Sequence, residues 1–311
     1  MKKNIFTSLF LIFCFGLFAQ NEKKIVLEGE VLNGRVKIIY EKRIYTNDTD
    51  SFTYVFNESG LLISKESPLF MGLNKKVIYA YNSDNQVIRA TMYDEAGTQT
   101  NYTEFTYENG DLIKRFIKHA KSTPKITRYF DYEIDNYKYD KNRNLIEKTE
   151  LIKRKNSSRE ILREHVKYQY DSIGNCIIEE ELCSKGKVVE RKVNKYVNSK
   201  LIETFTWLLF EGENLNLKDT YEYNEDGTIK SHTNIIYMYD STEEIDAIWT
   251  ENYSYKYEYD DNGRLIGESV TTLRDNKQEE TTWKLVDFDT CGNWTQKTIR
   301  KAMIIREIEY Y

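Results

Sequence analysis

The chain of 311 residues carries 45 basic and 50 acidic side chains, which give a net charge of −5. This mildly acidic balance lacks the concentrated basic face that a nucleic-acid phosphate backbone requires, so nucleic acid is not expected as a partner. The cysteines follow no CxxC spacing and predict neither a disulfide framework nor a zinc site, and no cofactor or metal ion is expected.

The first segment, residues 1–19, is predicted to be a secretory signal peptide. Two lysines precede an apolar run over residues 5–18, and small and polar residues follow. We expect cleavage after Ala19 and export to the periplasm, the cell surface or the medium. The run is short for a membrane span, and no later segment replaces it, so no membrane span is expected. A lipoprotein anchored at Cys14 is disfavoured, because Phe13 stands where a small residue is needed.

Residues 20–311 are predicted to form a single domain. The sequence has only two prolines, Pro68 and Pro124, and no Ser/Gly-rich tract that would mark a linker. Residues 23–45 alternate between apolar and polar types and predict an N-terminal strand pair that caps one end. Residues 307–311 are expected to protect the other end, since a bare edge strand promotes aggregation.

One phrase recurs along the chain in nine variants. Its clearest copy is YEYDDNGRLI, which begins at Tyr257. The other copies are YVFNESGLLI, YAYNSDNQVI, FTYENGDLI, YKYDKNRNLI, YQYDSIGNCI, NKYVNSKLI, YEYNEDGTIK and VDFDTCGNWT. The glycine position falls at residues 60, 85, 110, 143, 174, 199, 227, 263 and 292, with a mean spacing of 29 residues. A period of this size is typical of repeat proteins.

Each position of the phrase predicts part of a β-hairpin. Tyr257 and Tyr259 alternate with Glu258, which is the period of a strand. Asp260 is placed to accept backbone N–H bonds in a turn, and Gly263 can adopt the positive φ of a hairpin with a bulge. The same turn roles are predicted for Asn57, Gly60, Asp140, Asp171, Gly174, Gly227, Asp289 and Gly292.

Three copies lack glycine at this position. Asparagine tolerates the left-handed region, so Asn85 fits the pattern. Arg143 and Ser199 fit it poorly, and their turns are expected to differ from the others.

The pattern Y-x-Y-D-x-x-G-x-L resembles the YD repeat of Rhs-type proteins, and FDTCGNWTQKTI resembles a closing unit of small secreted bacterial proteins of that kind. The resemblance extends from Tyr54 to the end of the chain. It implies an antiparallel strip of hairpins, here without a toxin domain or a self-cleavage segment. The predicted fold is therefore all-β: consecutive antiparallel β-hairpins form one long, twisted and curled sheet, a solenoid-like strip with a concave side.

The sequence shows little that indicates catalysis. The three histidines, His119, His165 and His232, are isolated from one another, and there is no GxSxG elbow or phosphate-binding loop. We predict that the protein is not an enzyme and has no catalytic residues. A pair of carboxylates suited to glycoside hydrolysis would be visible only in space. The spacing also leaves open whether a disulfide joins any two of Cys176, Cys183 and Cys291.

The leading hypothesis is an exported, non-catalytic repeat protein whose curled sheet presents a surface to glycans or to envelope or secreted proteins. Trp207, Trp249 and Trp283 lie between the repeated phrases and are the candidate binding residues, because loops on a rigid scaffold often carry binding groups. The alternatives are a structural or assembly module and a carbohydrate-active enzyme. The sequence leaves the oligomeric state open.

Overall fold

The computed structural model describes residues 25–27, 30–67, 75–119, 130–209, 214–239, 245–274, 277–300 and 302–311. The predicted signal peptide, Cys14, Pro68 and Pro124 lie outside these residues. The described chain consists of strands and turns, which confirms the all-β prediction. Within this part of the chain, no helix is long and apolar enough to cross a membrane.

The strands are β1 (Ile25–Leu27), β2 (Glu30–Leu32), β3 (Val36–Ile44), β4 (Thr49–Phe56), β5 (Leu62–Glu66), β6 (Lys76–Tyr81), β7 (Val87–Tyr93), β8 (Gln99–Glu108), β9 (Asp111–His119), β10 (Phe130–Tyr139), β11 (Leu145–Arg154), β12 (Glu160–Tyr170), β13 (Cys176–Leu182), β14 (Val188–Val197), β15 (Lys200–Leu208), β16 (Asn214–Tyr223), β17 (Ile229–Tyr239), β18 (Ile245–Tyr259), β19 (Leu265–Arg274), β20 (Lys277–Phe288), β21 (Trp294–Ile299) and β22 (Ala302–Tyr310).

Strands β3 to β22 form one closed antiparallel barrel, in which each strand pairs with its neighbours in sequence. Closure is made by β22 and β3, which pair from Met303 opposite Ile44 to Tyr310 opposite Val36. The predicted open, solenoid-like strip is therefore wrong. A long twisted sheet curls, and pairing its two end strands satisfies backbone groups that an open strip would leave at its edges.

The predicted caps at the two ends are also corrected. Strands β1 and β2 form a separate two-stranded sheet. The rest of the predicted N-terminal strand pair is β3, which belongs to the barrel wall, and residues 307–310 lie in β22 beside it. The two termini of the sheet thus meet each other instead of capping opposite ends.

Each of the nine repeated turns joins two neighbouring barrel strands, and these nine hairpins together with β3 and β22 make up the 20-stranded wall. The glycine position has a positive φ in all nine turns. Arg143, at φ 67°, shares the geometry of the glycine turns, so the expectation that its turn would differ is wrong. Ser199 does differ: together with Asn198 it forms a two-residue turn between paired Val197 and Lys200.

In most of the regular turns, the acidic or amide residue that opens the turn accepts two backbone N–H bonds. Asp260 Oδ1 accepts from Asn262 at 3.0 Å and from Arg264 at 2.8 Å. The same pair of bonds forms at Asn57, Asp140, Asp171 and Asp289. Positive φ values occur at Gly60, Gly174, Gly227, Gly263 and Gly292.

A column of tyrosine hydroxyls joins successive hairpins. In each case, a tyrosine near the end of one hairpin's first strand donates to the carbonyl oxygen that begins the returning strand of the preceding hairpin. The pairs are Tyr81 with Leu62 (2.7 Å), Tyr107 with Val87 (3.0 Å), Tyr139 with Leu112 (3.0 Å), Tyr170 with Leu145 (2.8 Å), Tyr196 with Cys176 (3.1 Å), Tyr223 with Leu201 (2.8 Å) and Tyr257 with Ile229 (3.0 Å).

The two faces of the wall differ in burial. The register places buried side chains of many strands on one face, among them Ile152, Val166, Asp135, Thr204 and Asp219. Exposed large apolar side chains on the other face include Tyr40, Ile78, Leu273 and Ile305. Because side chains on the concave side of a closed sheet are more crowded, we identify the more buried face as the inner face.

The apolar core lies where the barrel closes. Leu27 and Leu32 of the small β1–β2 sheet pack with Val36, Ile39, Tyr54 and Phe56 in one buried cluster. Ile39 and Tyr54 are cross-strand partners on the inner face. The small sheet therefore covers the inner face of the wall beside the closure.

Candidate functional site

Three aromatic rings form a row across β8, β9 and β10 on the outer face. The ring centroids of Tyr102 and Phe116 are 6.2 Å apart, and those of Phe116 and Tyr132 are 5.5 Å apart. The planes are tilted by 48° and 41°. Tyr102 and Tyr132 are each the cross-strand partner of the same residue, Lys118. We call Tyr102, Phe116 and Tyr132 the aromatic row.

Cations and one carboxylate contact the two end rings of the row, those of Tyr102 and Tyr132. The guanidinium of Arg89 lies 4.1 Å from the centre of the Tyr102 ring, and the ammonium groups of Lys118 and Lys153 lie 5.7 and 5.4 Å from that of Tyr132. The Tyr132 hydroxyl donates to Glu160 Oε1 at 2.7 Å, and this hydrogen bond raises the pKa of Tyr132. All three rings are only partly buried. The row is therefore fixed in place and still reaches solvent.

A cleft of about 200 Å³ adjoins the row at the ends of β8, β9 and β10. The described residues that line it are Gln99, Thr100, Asn101, Tyr102, Lys118, His119 and Asp131. Lys118 Nζ donates to Asp131 Oδ1 at 2.6 Å, and this bond lowers the pKa of Asp131. The cleft thus offers hydroxyl, amide, ammonium, carboxylate and imidazole groups beside an aromatic ring.

His119 is the most deeply buried titratable residue in this lining, with 8% of its surface exposed. Its Nε2 is 2.7 Å from Glu133 Oε1 on β10. Among the buried side-chain nitrogen and oxygen atoms of the described chain, its Nδ1 is the one that lacks a hydrogen-bond partner. Buried polar atoms are nearly always paired, so an unpaired buried nitrogen is unusual.

Behind His119, an ionic cluster extends along the inner face. Glu133 receives bonds from His119 and from Arg163, and the His119 bond is the main cause of its lowered pKa. The neighbouring Glu150 has a raised pKa because of burial, although Arg163 lies 3.1 Å from it. The environment therefore shifts the pKa values of Glu133 and Glu150 in opposite directions.

This geometry favours binding of a polar ligand over metal binding. Among the described residues, no group of three or more His, Cys, Asp or Glu side chains is placed to hold a metal ion. The fixed rings provide flat apolar surfaces, and the cleft provides donors and acceptors that can set the orientation of a ligand.

The three tryptophans predicted to bind do not come together. Trp207 lies on the outer face of β15, opposite Arg191. Trp283 lies on the inner face of β20, where its Nε1 donates to Glu268 Oε2 at 3.1 Å and Lys297 Nζ is 4.6 Å from its ring centre. Trp249 pairs with Ile236 in β18, and its side chain lies outside the described residues.

The sequence left open whether the cysteines form a disulfide, and the structure answers this. Cys176, Cys183 and Cys291 are all free thiols. Cys176 is half-buried, and burial raises its pKa.

Sequence reasoning missed both the aromatic row and His119. Tyr102, Phe116 and Tyr132 lie outside the repeated phrases, on three strands whose relative register the sequence does not specify. The aromatic and β-branched residues around Tyr102, Phe116 and Tyr132 were the available signal. They indicate strands but do not show that the rings are neighbours.

Comparison with known proteins gives no family assignment. No protein-family model matches the chain, and no curated protein matches it. Among solved structures, a porin-like protein from Bacteroides uniformis is 11% identical with a TM-score of 0.36, over 89% of this chain and 99% of that one. A porin-like protein from Bacteroides vulgatus is 8% identical with a TM-score of 0.32, over the same shares. TcdB2-TccC3 without its hypervariable C-terminal region is 12% identical with a TM-score of 0.28, over 85% of this chain and 16% of that one. Likenesses at these scores carry no argument about function.

Proposed function

We propose that this protein is an exported, non-catalytic carbohydrate-binding barrel, with the aromatic row and the adjoining cleft as its binding site. The observation that supports this most directly is the row of three partly exposed rings, Tyr102, Phe116 and Tyr132, beside a cleft lined with hydrogen-bonding groups. We also propose that the repeated hairpin is a YD-type repeat used to build a closed wall.

The chemistry of the site suits a sugar ring. A pyranose has faces of C–H groups and a rim of hydroxyls, so it can contact an aromatic face while its hydroxyls reach polar partners. Aromatic side chains contribute large apolar areas with few rotatable bonds. The row spans three strands, and adjacent strands are about 4.8 Å apart, so it can contact more than one sugar unit of an oligosaccharide.

The inner-face carboxylates argue for a binding role over glycoside hydrolysis. Glycosidases separate their two carboxyl groups by about 5 Å or more, so that the sugar or a water can lie between them. Glu133 and Glu150 instead both contact the guanidinium of Arg163, at 3.5 and 3.1 Å, so ion pairing accounts for their position.

Closure of the barrel weakens the assembly alternative. End-to-end association through terminal strands needs unpaired edges. Strands β3 and β22 pair with each other along their length, so neither offers a free edge to a second copy.

The test is glycan binding by the purified protein, first on an array and then by calorimetry with the oligosaccharides that bind. We expect Phe116→Ala to weaken binding at least tenfold, which is about 1.4 kcal/mol. The matched control is Phe205→Ala. Phe205 is an outer-face aromatic ring on β15, with lysine ammonium groups 4.7 and 5.2 Å from its centre, far along the wall from the row. Equal effects of the two substitutions, or no glycan bound by the unaltered protein, would contradict the proposal.

A further inference from the structure

A basic turn lies at one end of the aromatic row. The end of β11 and its connection to β12 read KRKNSSR over residues 153–159, with four basic residues and no acidic one. We call Lys153, Arg154, Lys155 and Arg159 the basic turn. We propose that the carbohydrate bound by the row is acidic and that the basic turn binds its carboxylate or sulfate groups. This inference rests on the proposed function and adds to it the chemical class of the ligand.

Contacts with Tyr132 place the basic turn against the row. Lys153 is the cross-strand partner of Tyr132, so both side chains lie on the outer face, and its ammonium lies 5.4 Å from the centre of that ring. The Tyr132 hydroxyl donates to Glu160, the first residue after the turn, at 2.7 Å. The pKa of Asp131 is lowered mainly by its bond from Lys118 and further by the charge of Lys153. A ligand that contacts the Tyr132 ring therefore lies beside the turn.

The described part of the chain does not neutralise the basic turn. Arg154 and Arg159 are exposed. Among the described residues, no carboxylate forms an ion pair with either guanidinium or with the ammonium of Lys153. The planar fork of an arginine matches the geometry of an oxyanion and can donate two parallel hydrogen bonds to it. Anionic groups are therefore the ligand groups that these side chains fit.

The carboxylates around the row do not offset this charge. Glu104 binds Arg89 at 2.8 Å, and Asp131 binds Lys118 at 2.6 Å, so each of these acids already has a basic partner. The whole chain has a net charge of −5, so the excess of positive charge is local to this surface. A neutral glycan would contact only the rings, whereas an acidic glycan would contact the rings and the unpaired cations together.

The inference is tested with pairs of glycans that differ only in charge. The probes are a galacturonic acid hexasaccharide with its uncharged methyl ester, and a sulfated galactose hexasaccharide with its desulfated form. Calorimetry on the purified protein in about 0.15 M salt should show at least tenfold tighter binding of the acidic member in one pair or both, and the two pairs distinguish carboxylate from sulfate. Equal or weaker binding of both acidic members would overturn the inference. It would spare the proposed function if other glycans bind on the array.

A double substitution locates the charges that matter. Arg154→Gln with Arg159→Gln removes two exposed cations of the basic turn and should weaken binding of the acidic probe about tenfold, with binding of neutral glycans unchanged. The effect should shrink in about 1 M salt, because the screening length falls from about 8 to about 3 Å. The matched control is Lys256→Gln with Lys277→Gln, which removes two exposed cations from β18 and β20, far along the wall, and should leave binding unchanged.

Two further outcomes would overturn the inference. One is an equal effect of the two double substitutions, which would mean that the overall charge of the protein attracts the probe. The other is binding of polyglutamate as tightly as the acidic hexasaccharide, which would mean that the surface selects charge without sugar. Failure of every glycan to bind the unaltered protein would instead overturn the proposed function itself.

Discussion

At the scale of single residues, the turns are held by side-chain oxygens that accept backbone N–H bonds. Asp260 shows this most clearly, since its bond from the Arg264 amide is the main cause of its lowered pKa. Asn57 makes the equivalent bonds to Ser59 and Leu61 with an amide oxygen that does not titrate. The fold thus contains both a pH-sensitive and a pH-insensitive form of the same turn.

These bonds predict a loss of stability in acid. The pKa of Asp260 is lower in the folded state than in the unfolded chain, so its contribution is complete above the unfolded value, near 3.9, and is lost as the pH falls through the folded value. Asp260→Asn keeps an acceptor oxygen and removes the titration. We expect the difference in free energy of unfolding between the two proteins to shrink as the pH falls from about 5 to about 2.

Denaturant unfolding at a series of pH values checks this expectation. Asp261→Asn is the control, because Asp261 is the next residue and does not accept these turn bonds. Its pH profile should follow that of the unaltered protein more closely. Parallel pH profiles for the unaltered protein and Asp260→Asn would show that the turn bonds accepted by Asp260 contribute nothing to acid sensitivity.

At the scale of the hairpin, two of the nine turns have arginine or serine where the other seven have glycine or asparagine. Arg143 is compensated, because its guanidinium binds Asp111 of the preceding hairpin at 2.6 and 3.0 Å. Ser199 adopts φ 60° in a two-residue turn after Asn198. A residue with a Cβ in this region loses roughly 1–2 kcal/mol relative to the right-handed conformation.

Ser199→Gly should therefore stabilise the protein. Glycine removes the steric cost but loses more chain entropy on folding, so we expect a gain of about 0.5–1 kcal/mol in the free energy of unfolding. Arg143→Gly gains the same relief and loses the Asp111 contacts, so its gain should be smaller or absent. Thermal and denaturant unfolding of both variants measure the difference, and a destabilised Ser199→Gly would contradict the reasoning.

Hairpins could be predicted from the sequence because their signals are local. Tyr257, Asp260 and Gly263 lie within seven residues of one another, and their chemistry specifies a strand, a turn and a reversal. The aromatic row could not be predicted in this way. Phe116 and Tyr132 become neighbours only through the register of β9 on β10, across a connection that carries no repeat signal. A buried histidine with one unpaired nitrogen is likewise a property of packing and not of spacing.

At the scale of the whole molecule, closure depends on contacts between residues more than 250 positions apart. Tyr311 donates to the Phe56 carbonyl at 2.6 Å, and Asn293 exchanges bonds with the backbone of Asn33 at 2.7 and 2.8 Å. A sequence pattern with a period of 29 residues has the same appearance in an open strip and in a ring. This is why the repeat predicted the wall and not its closure.

Arg306 on β22 is the centre of that closure. Its Nε donates to Glu41 on β3 at 2.8 Å, its Nη1 donates to Glu30 at 2.6 Å, and its guanidinium lies 3.5 Å from the centre of the Trp294 ring. Both Arg306 and Glu41 are almost completely buried. Removing one member of a buried ion pair leaves an uncompensated charge and typically costs about 3–5 kcal/mol.

We therefore expect Arg306→Met to lower the free energy of unfolding by about 3–5 kcal/mol. Arg43→Met is the matched control: Arg43 also binds Glu41, at 2.7 Å, but its side chain is more exposed and its loss should cost less. Hydrogen exchange locates the effect, because Arg306→Met should lose amide protection in β22 and β3 before it loses protection in β10 and β11. Equal losses in the two variants, or uniform loss of protection around the wall, would show that closure does not depend on Arg306.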